Sequence, residues 1–339
     1  MLYKHVAIAS VTHVEAPIRL TSAEIMQRLQ PTLDRLGIRD NLLENVAGIY
    51  ERRMFSADTM PSDAATLAAQ KAIAESGVPH EKIGILVNTS VCRDYLEPST
   101  ASIVHGNLGL ADTCQNFDVG NACLAFLNGM DIAARMIERG DIEYALVVDG
   151  ENSNVITEKT IERLLQPDVT AEQFRNEFAS LTLGSGGAAM VLARAELAPD
   201  GHRYLGCVTR AATNFSHLCR GNLDKMVTDT RTLLVEGLKL AAKTFQAARA
   251  ALGWAGDELD EFVIHQISKV HTEAPSRTAR HRPQEGADGL PGIRQHRPGL
   301  GADRAQPSSR KWAACRRASA SALMGIGSGL NCSMAEVVW

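Results

Sequence analysis

No stretch of this chain is apolar for long enough to span a bilayer, and its first residues do not read as a signal peptide, because His5, His13 and Glu15 interrupt any hydrophobic run. None of its seven cysteines stands in a CxxC pair, so neither a disulfide framework nor a zinc site is indicated. The thiols read as reduced and the protein as cytoplasmic. A strong charge of either sign is also missing. The formal net charge of -4 gives no electrostatic reason to expect nucleic acid or an anionic membrane as a partner. The cluster from Gly184 to Gly187 lacks the lysine and the following helix of a phosphate loop. No metal or cofactor is therefore expected. With 339 residues, 45% of them hydrophobic, the chain has ample core for two domains or one large α/β unit.

The strongest signal runs from Phe117 to Glu151, FDVGNACLAFLNGMDIAARMIERGDIEYALVVDGE: strand, tight turn, helix, glycine stop, strand. Gly120 and Asn121 are the turn residues that tolerate unusual backbone angles. Cys123 follows, in what should be the first turn of the helix. No charge occurs from Val119 to Met130, which predicts a helix start buried on all sides. A thiol there would meet unpaired N–H groups and the positive end of the helix dipole, lowering its pKa from about 8.5 toward neutrality. Cys123 could equally be a plain buried cysteine. The strand–turn–helix setting of a nucleophile elbow favours the reactive reading.

Elsewhere the elements follow local signals. Strands are expected at His5–Ser10, Lys82–Asn88 and Cys114–Val119. A capping box at Thr21 to Glu24 opens a helix to about Leu36, and helices follow Pro61 (to a stop at Gly77) and Ser99. This alternation predicts a largely parallel sheet with helices on both faces. A polar helical excursion covers Thr157 to Phe178, and Ala188–Ala193 is a strand. A second half starts near Leu197: a strand at Tyr204–Thr213, a long helix at Thr228–Leu252, a strand at Phe262–Ile267 bearing His265, and a closing strand–turn–strand, ALMGIGSGLNCSMAEVVW.

One segment is out of character. From Pro275 to Ser321 arginines crowd in, the only aliphatics larger than alanine are Leu290, Ile293 and Leu300, and no valine occurs between Val270 and Val337. Such text cannot supply the strands and helix a half-domain still needs. A disordered linker would be odd just before the final core strands. A frameshift accounts for it better: His281 to Gln306 can be back-translated so that the neighbouring frame reads IDPKKVLTAFRESGNIGPASVPIVLS, with the original frame restored by Leu323.

With Cys123 after Asn-Ala, His265 in VIHQ and the GIGSGLNCS turn, the chain resembles the thiolase superfamily, and within it ketoacyl-ACP synthase III and its acyl-CoA-condensing relatives. The DYLEPSTAS loop around Glu97 and the NACLAFLNGMDIAARM helix make it most similar to the olefin-biosynthesis (OleA-type) thiolases. The similarity covers Met1 to about Ala274 and Leu323 to Trp339. It implies a five-layered αβαβα fold of two similar halves, here 1–196 and 197–339 with the second damaged at 275–321, and a homodimer. It also implies a Cys–His–Asn set, with Cys123 as nucleophile and His265 as the histidine. The family asparagine falls at Gln295, and only the shifted frame restores it.

The expected reaction is a head-to-head condensation of two long-chain fatty acyl-CoAs to a β-keto acid. Cys123 takes the first acyl group, and its backbone N–H with one from Gly327 or Gly329 forms the oxyanion hole. His265 then donates a hydrogen bond to an enolate, and Glu97 removes the α-proton from an apolar setting that raises its pKa. In the olefin-type relatives the matching glutamate reaches in from the partner subunit. Taken alone, His265 reads as a structural residue and Glu97 as a loop-surface carboxylate. Three other readings compete: a ketoacyl-ACP synthase III using acyl-ACP and decarboxylating malonyl-ACP, a Cys–His hydrolase, and an inactive product of the damaged frame.

Overall fold

The computed structural model describes residues 2–222, 224–254, 259–265 and 320–339. Gln295 and nearly all of the segment 275–321 lie outside the described residues.

The chain opens with β1 (Val6–Glu15) and β2 (Ile18–Thr21), then α1 (Ser22–Arg28) and α2 (Gln30–Leu36). Thr21 and Glu24 form the expected capping box. The single helix expected there is two, broken at Leu29. Pro31 has no N–H to continue the helical ladder and instead sits in the first turn of α2. Next come β3 (Glu51–Met54), which pairs with β2, and α3 (Pro61–Ser76), ended by Gly77 in the left-handed conformation. β4 (Ile83–Asn88), α4 (Thr100–Leu108), β5 (Gln115–Asp118), α5 (Ala125–Arg139) and β6 (Tyr144–Glu151) follow. The excursion is α6 (Asn154–Leu164) and α7 (Ala171–Glu177), which share a satellite core with α1 and α2 through Ile25, Leu33, Ile161 and Phe174. β7 (Gly186–Arg194) and β8 (His202–Ala211) lead to the small pair β9 (Cys219–Gly221) and β10 (Met226–Thr228). The last described elements are α8 (Thr230–Leu252), β11 (Glu261–Ile264), β12 (Ala320–Gly327) and β13 (Asn331–Val338).

One nine-stranded sheet runs β11-β12-β13-β8-β1-β7-β6-β4-β5. It is mixed, not largely parallel as expected. Among the described strands only β4 with β5 and β6, and β11 with β12, run parallel. The cause is connectivity. Helical crossovers link β4, β5 and β6, whereas β6 reaches β7 through the excursion and returns antiparallel, and β12 turns directly into β13.

The strand order displays a duplication. In the first half β1 pairs antiparallel with β7, β7 antiparallel with β6, and β6 parallel with β4. In the second, β8, β13, β12 and β11 repeat that pattern. The helices α3 and α8 precede the equivalent strands β4 and β11. The halves join where β1 meets β8, Ala7 opposite Arg203.

α3 and α4 pack on the outer face of the first half through Ala68, Ala72 and Val104, and α8 covers the second through Phe245 and Ala248. α5 lies between them, with Met130, Ala133, Ala134 and Ile137 in one cluster with Val87, Val147, Leu323, Ala335 and Val337. These layers are those of the thiolase fold. The start of α5 is not buried on all sides as expected: Phe126, Leu127 and Asn128 are half-buried and Cys123 is exposed.

Two glycines let α3 lie directly on the sheet. A Cβ on Gly150 would come within 2.0 Å of the Pro61 carbonyl oxygen, and one on Gly187 within 2.3 Å of that of Ala64. Backbone cannot yield as a side-chain tip does. Gly150→Ala should therefore destabilise the fold by about 1–3 kcal/mol or more, seen as an earlier urea midpoint; an unchanged midpoint would contradict this packing.

Candidate active site

β5 delivers the chain to the turn that carries Cys123. The Val119 N–H donates to the Asn88 carbonyl at 2.8 Å, fixing the exit from the strand beside the end of β4. The residue that takes the unusual backbone angle is neither Gly120 nor Asn121 but Ala122, with φ 46°, the one non-glycine with positive φ among the described residues. An alanine there costs roughly 1–2 kcal/mol, strain that the surrounding packing must hold. Asn121 helps to hold it: its Nδ2 donates to Asn128 Oδ1 at 2.6 Å on α5, and its Oδ1 accepts from Asn331 Nδ2 at 3.1 Å on β13. The turn is thus pinned to both halves.

Cys123 sits in a 3-10 turn, Ala122–Leu124, ahead of α5 rather than in the helix's own first turn. Its side chain is exposed, yet the protein crowded about the sulfur pushes the thiol above its ordinary value, aided by Cys219 and by the carboxylates of Glu151 and Asp149. The lowering expected from the helix terminus is therefore reversed. Crowding and nearby acids outweigh a dipole whose end lies a turn away.

The second half brings β12 to this turn. The Cβ position of Gly327 lies 3.5 Å from the Cys123 nitrogen and 3.4 Å from the Asn121 oxygen. Of the two glycines expected at an oxyanion hole, Gly327 is the one against the Cys123 backbone. Gly329, with φ 135°, forms the turn and packs on Asn331.

His265 follows β11 and is held by the same stretch of β12. Its backbone N–H donates to the Met324 carbonyl and its ring Nδ1 contacts the Ile326 carbonyl, both at 2.9 Å. A carbonyl oxygen only accepts, so Nδ1 carries the proton and Nε2 keeps its lone pair. Burial lowers the histidine's pKa, against the opposing pull of that carbonyl, so the neutral ring prevails at working pH. The expectation that neutral His265 donates to an enolate needs amending. In this tautomer Nε2 becomes a donor only after accepting a proton.

Glu97 is not brought into the site within one chain. It is exposed on the loop from Val91 to Ser99, with Leu96 90% and Tyr95 53% exposed beside it. The apolar setting expected for its carboxylate is absent from the single chain. The start of this loop does reach the nucleophile turn, since the Arg93 guanidinium lies 3.2 Å from the Cβ position of Gly120.

The site also contains an acid pair that the sequence reading passed over, Asp149 and Glu151 at the end of β6. Burial and the Asp149 charge push Glu151 up to about 7, and burial raises Asp149 as well. Asp149 accepts from Thr89 Oγ1 at 3.0 Å. Glu151 accepts from the Val91 and Cys92 amides at 2.5 and 3.0 Å. The available signal was two acids closing the apolar strand Ala145–Val148.

Residues 117–212 match the 3-oxoacyl-[acyl-carrier-protein] synthase III family. Over its full length the chain is 57% identical to the acyl-CoA:acyl-CoA alkyltransferase of Xanthomonas campestris and 32% identical to that of Shewanella oneidensis, each also covered completely. A beta-ketoacyl-[acyl-carrier-protein] synthase III of Laribacter hongkongensis is more distant, 29% identical over 77% of this chain and 76% of its own. Solved structures of the Xanthomonas enzyme, OleA, superpose on all of this chain. A cerulenin-bound form gives a TM-score of 0.89 over 98% of its length, and a Cys→Ser form with bound lauric acid and lauroyl-CoA gives 0.88 over 100%. Other forms of that enzyme replace one cysteine, one glutamate or one histidine, at a single constant offset in numbering from Cys123, Glu97 and His265.

With the imidazole removed in His265→Ala, alkylation of Cys123 by iodoacetamide should accelerate with pH through a midpoint above about 8.5. A midpoint near neutrality would mean that the helix terminus controls the thiol after all.

Proposed function

The chain belongs to the acyl-CoA:acyl-CoA alkyltransferase (OleA) family of thiolase-fold condensing enzymes, and from that premise we propose that it joins two long-chain fatty acyl-CoAs head to head through an acyl-Cys123 intermediate. The observation that carries the reading is the convergence on one strand edge. His265 is held by Met324 and Ile326, and the next residue, Gly327, lies against Cys123.

Cys123 rests as a thiol, so loading begins with proton transfer to Nε2 of His265. The thiolate attacks the first thioester carbonyl, an S–acyl bond forms, and the CoA–sulfur bond breaks. The oxyanion formed on the way is met by the Cys123 backbone N–H and a second one from the Gly327–Gly329 turn. CoA leaves as its thiolate. Exchange of one thioester for another is nearly isoenergetic, so this step is reversible.

Glu97 then removes the α-proton of the second acyl-CoA. The enolate attacks the acyl-Cys123 carbonyl, forming the C–C bond while the C–S bond breaks and the Cys123 thiolate returns. While protonated, His265 donates from Nε2 to the enolate oxygen. Hydrolysis of the resulting β-ketoacyl-CoA yields the β-keto acid and the second CoA.

Because Glu97 is exposed in one chain amid uncovered Val91, Tyr95 and Leu96, this loop suits a homodimer contact that carries Glu97 of one subunit to the Cys123 of the other. There its carboxylate can serve as the base for the α-proton. A decarboxylating synthase would need no such base, and the full-length identity to the alkyltransferases favours the acyl-CoA reading.

Incubation with a long-chain acyl-CoA should release CoA and yield a β-keto acid or its ketone. Strict dependence on malonyl-ACP would establish the synthase instead, and free fatty acid alone would establish a hydrolase. Cys123→Ala should show no acyl mass gain on intact protein. Glu97→Ala should load normally yet condense about 10²–10⁴-fold more slowly; unchanged condensation would remove Glu97 from the chemistry.

Gln295 and the composition of 275–321 support a second reading, an inactive product of the shifted frame. A chain with IDPKKVLTAFRESGNIGPASVPIVLS in place of His281–Gln306 regains the family asparagine. It should condense about 10²–10³-fold faster than the chain as it stands, the usual effect of one preorganised donor. Equal rates would dismiss the frameshift as the source of a defect.

A further inference from the structure

Glu151 lies outside every step above, yet it is the residue that ties the end of β6 to the loop bearing Glu97. Its two carboxylate oxygens take the consecutive amides of Val91 and Cys92, at 2.5 and 3.0 Å, where that loop leaves the end of β4. The neighbouring backbone is rigid. The Gly150 N–H donates to Ser90 Oγ at 2.8 Å, Ser90 Oγ donates to Asn88 Oδ1 at 2.7 Å, and Gly150 is pressed against α3. The strand that carries Glu151 therefore has a fixed position from which to hold the loop.

We propose that Glu151 is a positioning residue for condensation: its carboxylate clamps the base of the 91–99 loop and so sets where Glu97 can be delivered. This rests on the reading of Glu97 as the base. An ionised carboxylate is needed for a full clamp on two amide donors. The groups facing Glu151 are Asp149 from its own strand, the Cys92 thiol from the loop and the Cys123 thiol from the nucleophile turn. Burial and Asp149 raise the Glu151 pKa to about 7. The clamp is therefore complete above that pH and weakens as pH falls through it.

The test is Glu151→Gln in the full chain, which keeps the size of the side chain and one acceptor oxygen. Hydrogen–deuterium exchange should be faster in the 91–99 segment. Loading of Cys123 by lauroyl-CoA should not slow, and condensation should slow about tenfold at pH 8, as for a lost charged hydrogen bond. The ratio of parent to variant condensation rates should fall toward one below about pH 7, where the parent's own carboxyl is neutral. A merely structural role would slow loading and condensation together at every pH. Unchanged exchange, or a rate ratio independent of pH, would overturn the proposal. Faster exchange in Glu151→Gln combined with normal condensation by Glu97→Ala would instead leave the clamp standing and remove the base.

Discussion

The edge of β12 from Met324 to Gly327 is the constraint on which the site depends. Two of its carbonyls, those of Met324 and Ile326, hold the backbone and ring of His265. Gly327 lies in van der Waals contact with the Cys123 turn, its Cβ position 3.4 Å from the Asn121 oxygen and 3.5 Å from the Cys123 nitrogen. The Ile326 carbonyl also decides the chemistry of the imidazole, because an acceptor at Nδ1 leaves Nε2 free to take a proton. In the proposed mechanism a crowded thiol with a raised pKa passes its proton to a ring with a lowered one as attack begins. Neither group needs to be charged at rest.

The duplicated topology explains how β12 comes to lie beside both His265 and the Cys123 turn. Cys123 follows β5 at the outer edge of the first half's strands, and His265 follows β11, the second half's equivalent of β4. The two halves face each other across α5, so strand ends from both converge on one place. Asn121 locks that convergence by bonding α5 with its amide nitrogen and β13 with its oxygen.

Much of this could be read in the sequence because the signals were local. Thr21 with Glu24 announces a helix start within one turn, and Pro61 and Gly77 each mark an end of α3 where it stands. Cys123 and His265 were visible through motifs of a few letters. The direction of the strands was not, because β6 and β7 are separated by an excursion whose course no local pattern records. Nor was the strain at Ala122, since its positive φ comes from the surrounding packing and not from the alanine. Asp149 and Glu151 were overlooked for a similar reason. Their significance arises from burial beside Thr89, Val91 and Cys92, about sixty residues away in the chain. The expected helix-dipole effect on Cys123 had the wrong sign because the protein crowded about the sulfur, and the acids near it, outweigh a helix end that lies a turn away.

The most direct test of the Cys123–His265 pairing is the pre-steady-state rate of Cys123 acylation by lauroyl-CoA, followed by intact mass across pH in the parent and in His265→Asn. The pairing predicts that the variant loads about 10²–10⁴-fold more slowly near pH 7 and recovers toward the parent as the thiol ionises unaided at high pH. Equal rates at pH 7 would show that the imidazole held on Ile326 takes no part in activating the thiol.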